Sequence, residues 1–149
     1  MVKHKHIESA FTGEGARLYG GRWNSRGTAM VYTAQSRALA ALEMLAHLES
    51  VELLAEYVVL EVGIDERLVT EIPIATLPRG WQAMQISDGT RAIGDAWAQR
   101  NESVALRVPS ALVPGEYNYL LNPRHPDYGR LQIHSPVGFR FDSRLICKR

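Results

Sequence analysis

Leu39, Leu42, Leu45 and Leu48 recur every third residue in an Ala-rich run without Gly or Pro. This spacing predicts an amphipathic helix over 36–49. The β-branched run Glu56 to Ile64 predicts a strand. So do the apolar run 29–33, the segment 103–108 ended by Pro109, and the segment 137–141. A second helix is predicted over 88–100, with Asp88 as N-cap and Ile93, Ala96 and Trp97 turned inward. Between these elements, 71–86 holds Pro73, Pro78 and Gly80 and reads as irregular. Residues 114–136 hold Pro114, Pro123, Pro126 and Pro136 and read mostly as loop around the short run 117–121. The stretch 11–28 carries Gly13, Gly15, Gly20, Gly21 and Gly27, a pattern of turns and close backbone approaches. Helices and strands mix without a βαβ rhythm, so the fold class is α+β.

Composition narrows the class of protein. With 149 residues, 46% hydrophobic and 22% charged, the chain is expected to form one soluble domain over 1–149, and not a disordered, collagen-like or coiled-coil chain. No apolar run reaches the roughly 18 residues of a membrane span. Cys147 has no second cysteine to pair with, so a reduced, cytoplasmic setting is the default. The net charge of +1 argues against a nucleic-acid binder, but the charge is uneven. Residues 1–37 carry net +4, 38–71 net −7 and 72–149 net +4. An anionic ligand would therefore look first to the N-terminal third. Fourteen of the 17 basic residues are Arg, the side chain suited to bidentate contacts with phosphate or carboxylate.

Most catalytic templates fail. The glycine run lacks G-x-G-x-x-G spacing, there is no Walker motif and no G-x-S-x-G elbow, and only His4 and His6 stand close together among the five histidines, so no metal site is expected. One constellation survives: Arg22 after Gly20-Gly21, Tyr32 on the first predicted strand, and Glu43 on the predicted helix. Leu39, Glu43 and His47 are spaced by four and would share a helix face, which puts an acid at the edge of an apolar stripe. An Arg, a Tyr and a Glu together suit a substrate with a phosphate, a flat ring and a sugar.

The run Gly13-Glu14-Gly15-Ala16-Arg17-Leu18-Tyr19-Gly20-Gly21-Arg22-Trp23-Asn24, followed by Gly27, Val31-Tyr32 and Ala41-Leu42-Glu43, closely resembles the RES-domain toxins of bacterial Xre–RES toxin–antitoxin systems. Gly94-Asp95-Ala96-Trp97, Leu106-Arg107-Val108-Pro109-Ser110 and Asn118-Tyr119-Leu120-Leu121-Asn122-Pro123 extend the likeness over about residues 12–142. The resemblance implies an ADP-ribosyltransferase-like fold that binds NAD, as substrate, between two small sheets. It maps the Arg, Glu and Ser of the family name to Arg22, Glu43 and Ser110, and a further site tyrosine to Tyr32. It implies that Glu43 stabilises a ribosyl cation, Tyr32 flanks the nicotinamide and Arg22 grips the pyrophosphate. Arg17 would assist, Ser110 would orient the ribose or the nucleophile, and His47 would contact the diphosphate or position Glu43.

The implied activity is NAD breakdown by hydrolysis or phosphorolysis. Protein ADP-ribosylation and a catalytically weak antitoxin-binding role are the alternatives. The implied partner is an Xre-type antitoxin whose C-terminal segment fills the cleft. DNA would be met only through that antitoxin, and a homodimer is left open. One departure stands out. Family members open with a strand carrying a Tyr-Arg or Trp-Arg pair some twenty residues before the position of Arg22, and no arginine stands near Val2 and Lys3. The expectation is a late start, a substitute in Lys3 or Lys5, or a lost arginine with an incomplete first strand.

Overall fold

Alternation along two neighbouring strands builds the centre of the molecule. The computed structural model describes residues 1–47 and 56–145. Strands β1 (Val2–Lys3), β2 (Val31–Ala34), β3 (Tyr57–Val59), β4 (Val62–Gly63), β5 (Val69–Glu71), β6 (Ala105–Pro109), β7 (Tyr117–Leu121), β8 (Gln132–Ile133) and β9 (Val137–Phe139) are joined by helices α1 (Glu14–Tyr19), α2 (Arg37–Leu45) and α3 (Asp88–Arg100) and by short 3-10 turns. The principal sheet has the order β2-β7-β6-β5, antiparallel except for the β5–β6 pair. Two smaller sheets, β1-β3-β9 and β4-β8, flank it. The α+β expectation is met.

Residues directly opposite across antiparallel strands point to the same face, and successive residues alternate. One face of the principal sheet thus carries Tyr32, Leu120 and Leu106, then Ala34, Asn118 and Val108. Its apolar members join Trp23, Met30, Trp81 and Trp97 in a core under α3. The other face carries Val31, Leu121 and Ala105, packed with Val104 and Leu131. A third cluster, Tyr57 with Phe141 and Phe139 in edge-to-face contact, receives Ala41, Met44 and Leu45 of α2. At roughly 25 cal/mol per Å² of apolar surface, these three cores supply the main favourable contribution to stability.

The helices start where side-chain caps exist. Ser36 Oγ accepts from the N–H of Leu39 at 3.1 Å, and Ser87 Oγ from that of Gly89 at 3.1 Å. The N-cap of α3 is therefore Ser87, and Asp88 is its first helical residue, where its charge still favours the helix N-terminus. Helix α3 ends on Asn101 in the left-handed conformation (φ 50°). Gly94 of α3 lies against the backbone of Trp23, and a Cβ there would overlap the Trp23 carbonyl oxygen. That contact brings α3 onto the glycine-rich loop.

Several boundaries differ from expectation. Helix α2 stops at Leu45, and residues 46 and 47 form a turn. Positions 48 and 49 of the predicted helix, and Cys147, lie outside the described residues. The run 56–64 divides at Leu60-Glu61 into β3 and β4, which belong to different sheets. Strand β6 runs on through Pro109, and the short run 117–121 becomes the inner strand β7. The last strand ends at Phe139, although Phe141 is buried against Tyr57. The glycine-rich stretch contains α1, and β1 pairs with β3 through Val2↔Val58 and Lys3↔Tyr57. A first strand is thus present at the position where the resemblance calls for one, without its arginine.

Candidate active site

The glycine-rich loop is tied by one buried amide. Gly20 ends α1 at φ 73°, and its N–H donates to the carbonyl of Ala16 at 2.8 Å. Asn24, fully buried, donates through Nδ2 to the carbonyls of Ala16, Ser25 and Thr28 at 2.8, 3.1 and 3.0 Å. Its Oδ1 accepts the hydroxyl of Tyr32 at 2.7 Å, and that hydroxyl accepts the N–H of Trp23 at 3.0 Å. Gly21 leaves the space: a Cβ there would come within 2.5 Å of the Tyr32 hydroxyl oxygen. Tyr32 as a whole is 39% exposed, while its hydroxyl is engaged by Asn24 and Trp23. Burial pushes its hydroxyl well above the ordinary tyrosine range, against the pull of the Trp23 N–H, with nearby Asp95 raising it further and Arg22 and Arg91 lowering it. Tyr32 is a neutral phenol and a fixed donor to Asn24, and no base.

Glu43 projects from α2 toward the end of β6 and the middle of β7. Its Oε1 accepts Ser110 Oγ at 3.1 Å and Asn118 Nδ2 at 2.7 Å. Ser110 has no choice of direction. Its oxygen already accepts the N–H groups of Leu112 and Val113, both at 3.1 Å, so its proton goes to Glu43. Both bonds fall on Oε1, and Oε2 has no hydrogen-bond partner among the described residues. Hydrogen bonds to a charged acceptor contribute about 1.5–3 kcal/mol each, enough to hold the carboxylate in one orientation. Tyr32 and Asn118 are diagonal neighbours on β2 and β7, since Tyr32 faces Leu120 and Ala34 faces Asn118. Such positions lie about 7–8 Å apart. The ring of Tyr32 and the carboxylate of Glu43 therefore serve one stretch of one sheet face.

Of the other expected residues, the structure brings Arg22 close and leaves two elsewhere. Arg22 donates through Nη1 to the carbonyls of Trp81 at 2.6 Å and Ala83 at 3.1 Å, and through Nη2 to Ala83 at 3.1 Å. Its guanidinium clasps the 81–83 turn, and an anion would have to take it from neutral carbonyls, an exchange that charge favours. Arg17 forms a bidentate pair with Glu14 on α1, at 2.7 and 2.6 Å, and makes no side-chain hydrogen bond to Arg22, Tyr32, Glu43 or Ser110. His47 stands exposed beyond the end of α2. Helix α2 ends at Leu45, two residues before His47, which lies in the turn that follows with its N–H on the carbonyl of Met44.

Three residues were missed as site members. Asn24 and Asn118 lie within the family motifs 13–24 and 118–123, so the sequence carries a signal for both. Arg91 carried none: only α3 brings its Nε to the carbonyl of Gly21, at 3.2 Å. A cavity of about 560 Å³ does open between the principal sheet and its smaller neighbours, lined by Thr33, Tyr119, Val59 and Val62 among others. It lies on the opposite face from Tyr32 and Asn118, and Arg22, Tyr32, Glu43 and Ser110 do not line it. Among the described residues no helix is long and apolar enough to cross a membrane, and no group of three His, Cys, Asp or Glu is placed to hold a metal ion.

Similarity to known proteins runs the length of the domain. The family model described as the RES domain matches residues 1–142, and this chain belongs to the RES family of toxins. It is 41% identical over 147 residues to a protein named Toxin Res from Photorhabdus laumondii, covering 98% of this chain and 94% of that one. It is 39% identical over 140 residues to a protein named Prs ADP-ribosylating toxin from a Sphingobium species, covering 92% and 87%. A chain in the crystal structure of the M. tuberculosis MbcT–MbcA toxin–antitoxin complex superimposes with a TM-score of 0.64 at 23% identity, over 88% of this chain and 78% of that one. At that identity the likeness concerns the fold.

Proposed function

We propose that this chain is the toxin of a bacterial toxin–antitoxin pair and that it breaks the nicotinamide–ribose bond of NAD. The observation that carries this reading is the Glu43 carboxylate, held at one oxygen by Ser110 and Asn118 on the sheet face that also bears Tyr32. As the glycosidic bond lengthens, nicotinamide leaves with the bonding pair and positive charge develops at C1′ of the ribose. A preorganised carboxylate beside C1′ stabilises that charge, and an oxygen nucleophile then forms the new bond. Tyr32 offers its ring to the nicotinamide. Arg22 and Arg91, both reaching the Gly21–Trp81 region, supply positive charge for the pyrophosphate. Ser110, 4% exposed and engaged by three hydrogen-bond partners, holds Glu43 and does not attack.

Water or phosphate is the acceptor in the principal reading. The 39% identity to a protein named as an ADP-ribosylating toxin favours a protein acceptor as the second. The partner that keeps such an enzyme silent is an antitoxin of Xre type, with its C-terminal segment at the site, in the cytoplasm where NAD is found. The decisive experiment incubates purified protein with NAD, with and without phosphate, and separates nicotinamide, ADP-ribose and ADP-ribose-1-phosphate by chromatography. Free nicotinamide without labelled protein supports NAD breakdown, and labelled protein supports transfer. No nicotinamide release rejects both.

Arg22→Lys is expected to fold normally and to lose at least about tenfold in NAD turnover. A lysine keeps the charge but not the planar fork that spans two acceptors. Turnover equal to wild type, in the same chromatographic assay, would show that Arg22 serves only the 81–83 turn.

A further inference from the structure

The face of the principal sheet that runs under Glu43 is a row of buried apolar side chains, with Leu106, Val108 and Leu120 at 2% exposure or less. Asn118 is the polar residue among them on the paired strands β6 and β7. Its Nδ2 makes the shorter of the two bonds to Glu43, 2.7 Å against 3.1 Å for Ser110. Its Oδ1 is buried and has no hydrogen-bond partner among the described residues. Native structures rarely leave a buried carbonyl unpaired without a reason, and an apolar residue at 118 would avoid the penalty. The contribution of Asn118 must therefore lie in its N–H₂ group. The amide cannot turn over either, because its carbonyl would then face the Glu43 carboxylate.

We infer that Asn118 is a positioning residue for Glu43. Resting on the reading of the site as one that cleaves NAD, this assigns Asn118 the task of holding one carboxylate oxygen so that the other is presented to the ribose. Ser110 at the end of β6 and Asn118 on β7 approach Oε1 from two different strands. Two donors from separate elements fix both the position and the plane of the carboxylate, where one donor would leave it free to pivot. Oε2 is thereby kept toward the ligand. The residue acts through Glu43 and not on substrate, so its loss affects the chemical step and leaves substrate affinity intact.

The test is steady-state nicotinamide release by Asn118→Leu and Asn118→Asp beside wild type and Glu43→Gln, with thermal unfolding of each. Asn118→Leu matches the volume and removes the donor. Asn118→Asp keeps the shape and sets a carboxylate against Oε1. Both are expected to lower kcat at least tenfold and keep KM for NAD within twofold, while Asn118→Leu unfolds within a few degrees of wild type. A purely structural residue would instead lower stability and activity together. Should Asn118→Leu fail to fold, Asn118→Asp decides by the same criteria. Wild-type kcat in either folded variant, with Glu43→Gln inactive, overturns the role of Asn118 and leaves the proposed function standing. An inactive wild type overturns both.

Discussion

Glu43→Gln is expected to give a folded protein that no longer inhibits growth, with NAD turnover reduced about 10³-fold or more. A loss of that size corresponds to about 4 kcal/mol of transition-state stabilisation. Removing one preorganised electrostatic group from an active site typically costs about this much. The substitution isolates the charge. Glutamine keeps a carbonyl oxygen that accepts the same bonds from Ser110 and Asn118, so the side chain stays where the carboxylate was. On the proposed mechanism, what disappears is the negative charge opposite the developing ribosyl cation, a term that acts in the transition state and barely in the ground state. The measurements are colony formation on induced expression, nicotinamide release by the purified protein, and thermal unfolding. Unchanged growth inhibition by a protein that folds like wild type would remove Glu43 from the chemistry.

Gly94→Ala is expected to cost about 3 kcal/mol of stability, a fall of roughly 10 °C in the unfolding midpoint for a domain of this size. Helix propensity alone predicts the opposite sign, since Ala is better than Gly by about 1 kcal/mol inside a helix. The contact decides. Gly94 lies midway along α3, and an added methyl group would overlap the carbonyl oxygen of Trp23, part of the backbone and unable to swing aside. To make room, α3 must lift from the glycine-rich loop. That would disturb the Trp23 N–H bond to Tyr32 and the tilted packing of Trp23 on Trp81, whose ring centroids are 6.2 Å apart. Activity should fall with stability, because Tyr32 is seated by the same loop. A midpoint equal to or above that of wild type, by calorimetry, would show that the loop yields and that helix propensity prevails.

Local chemistry made much of this protein legible from its sequence alone. The leucines of α2, the Ala-rich stretch that favours a helix and the acidic Asp88 at the start of α3 act over one or two turns, and a short-range signal survives in a linear chain. The family motif likewise marked Arg22, Tyr32, Glu43 and Ser110, since a run from Gly13 to Asn24 followed by Tyr32 and Glu43 is long enough to be specific. The cap of α3 was less legible: the sequence pointed to Asp88, and the backbone places the cap one residue earlier, at Ser87.

Tertiary structure decided the rest, because the deciding contacts join residues far apart in the chain. Strands of two or three residues such as β1, β5 and β8 are too short to alternate, and they exist only because a partner strand supplies their hydrogen bonds. Helix α2 stops at Leu45 despite a periodicity that runs on to Leu48, so His47 sits in the turn beyond it. Spacing could not reveal that Arg22 clasps carbonyls some sixty residues away, or that Arg17 turns to Glu14. Nor could it show that Glu43 finds Ser110 and Asn118 across 67 and 75 residues of chain. Residue type established which chemistry was available, while the pairing of β7 between β2 and β6 determined which groups share a face and can act together.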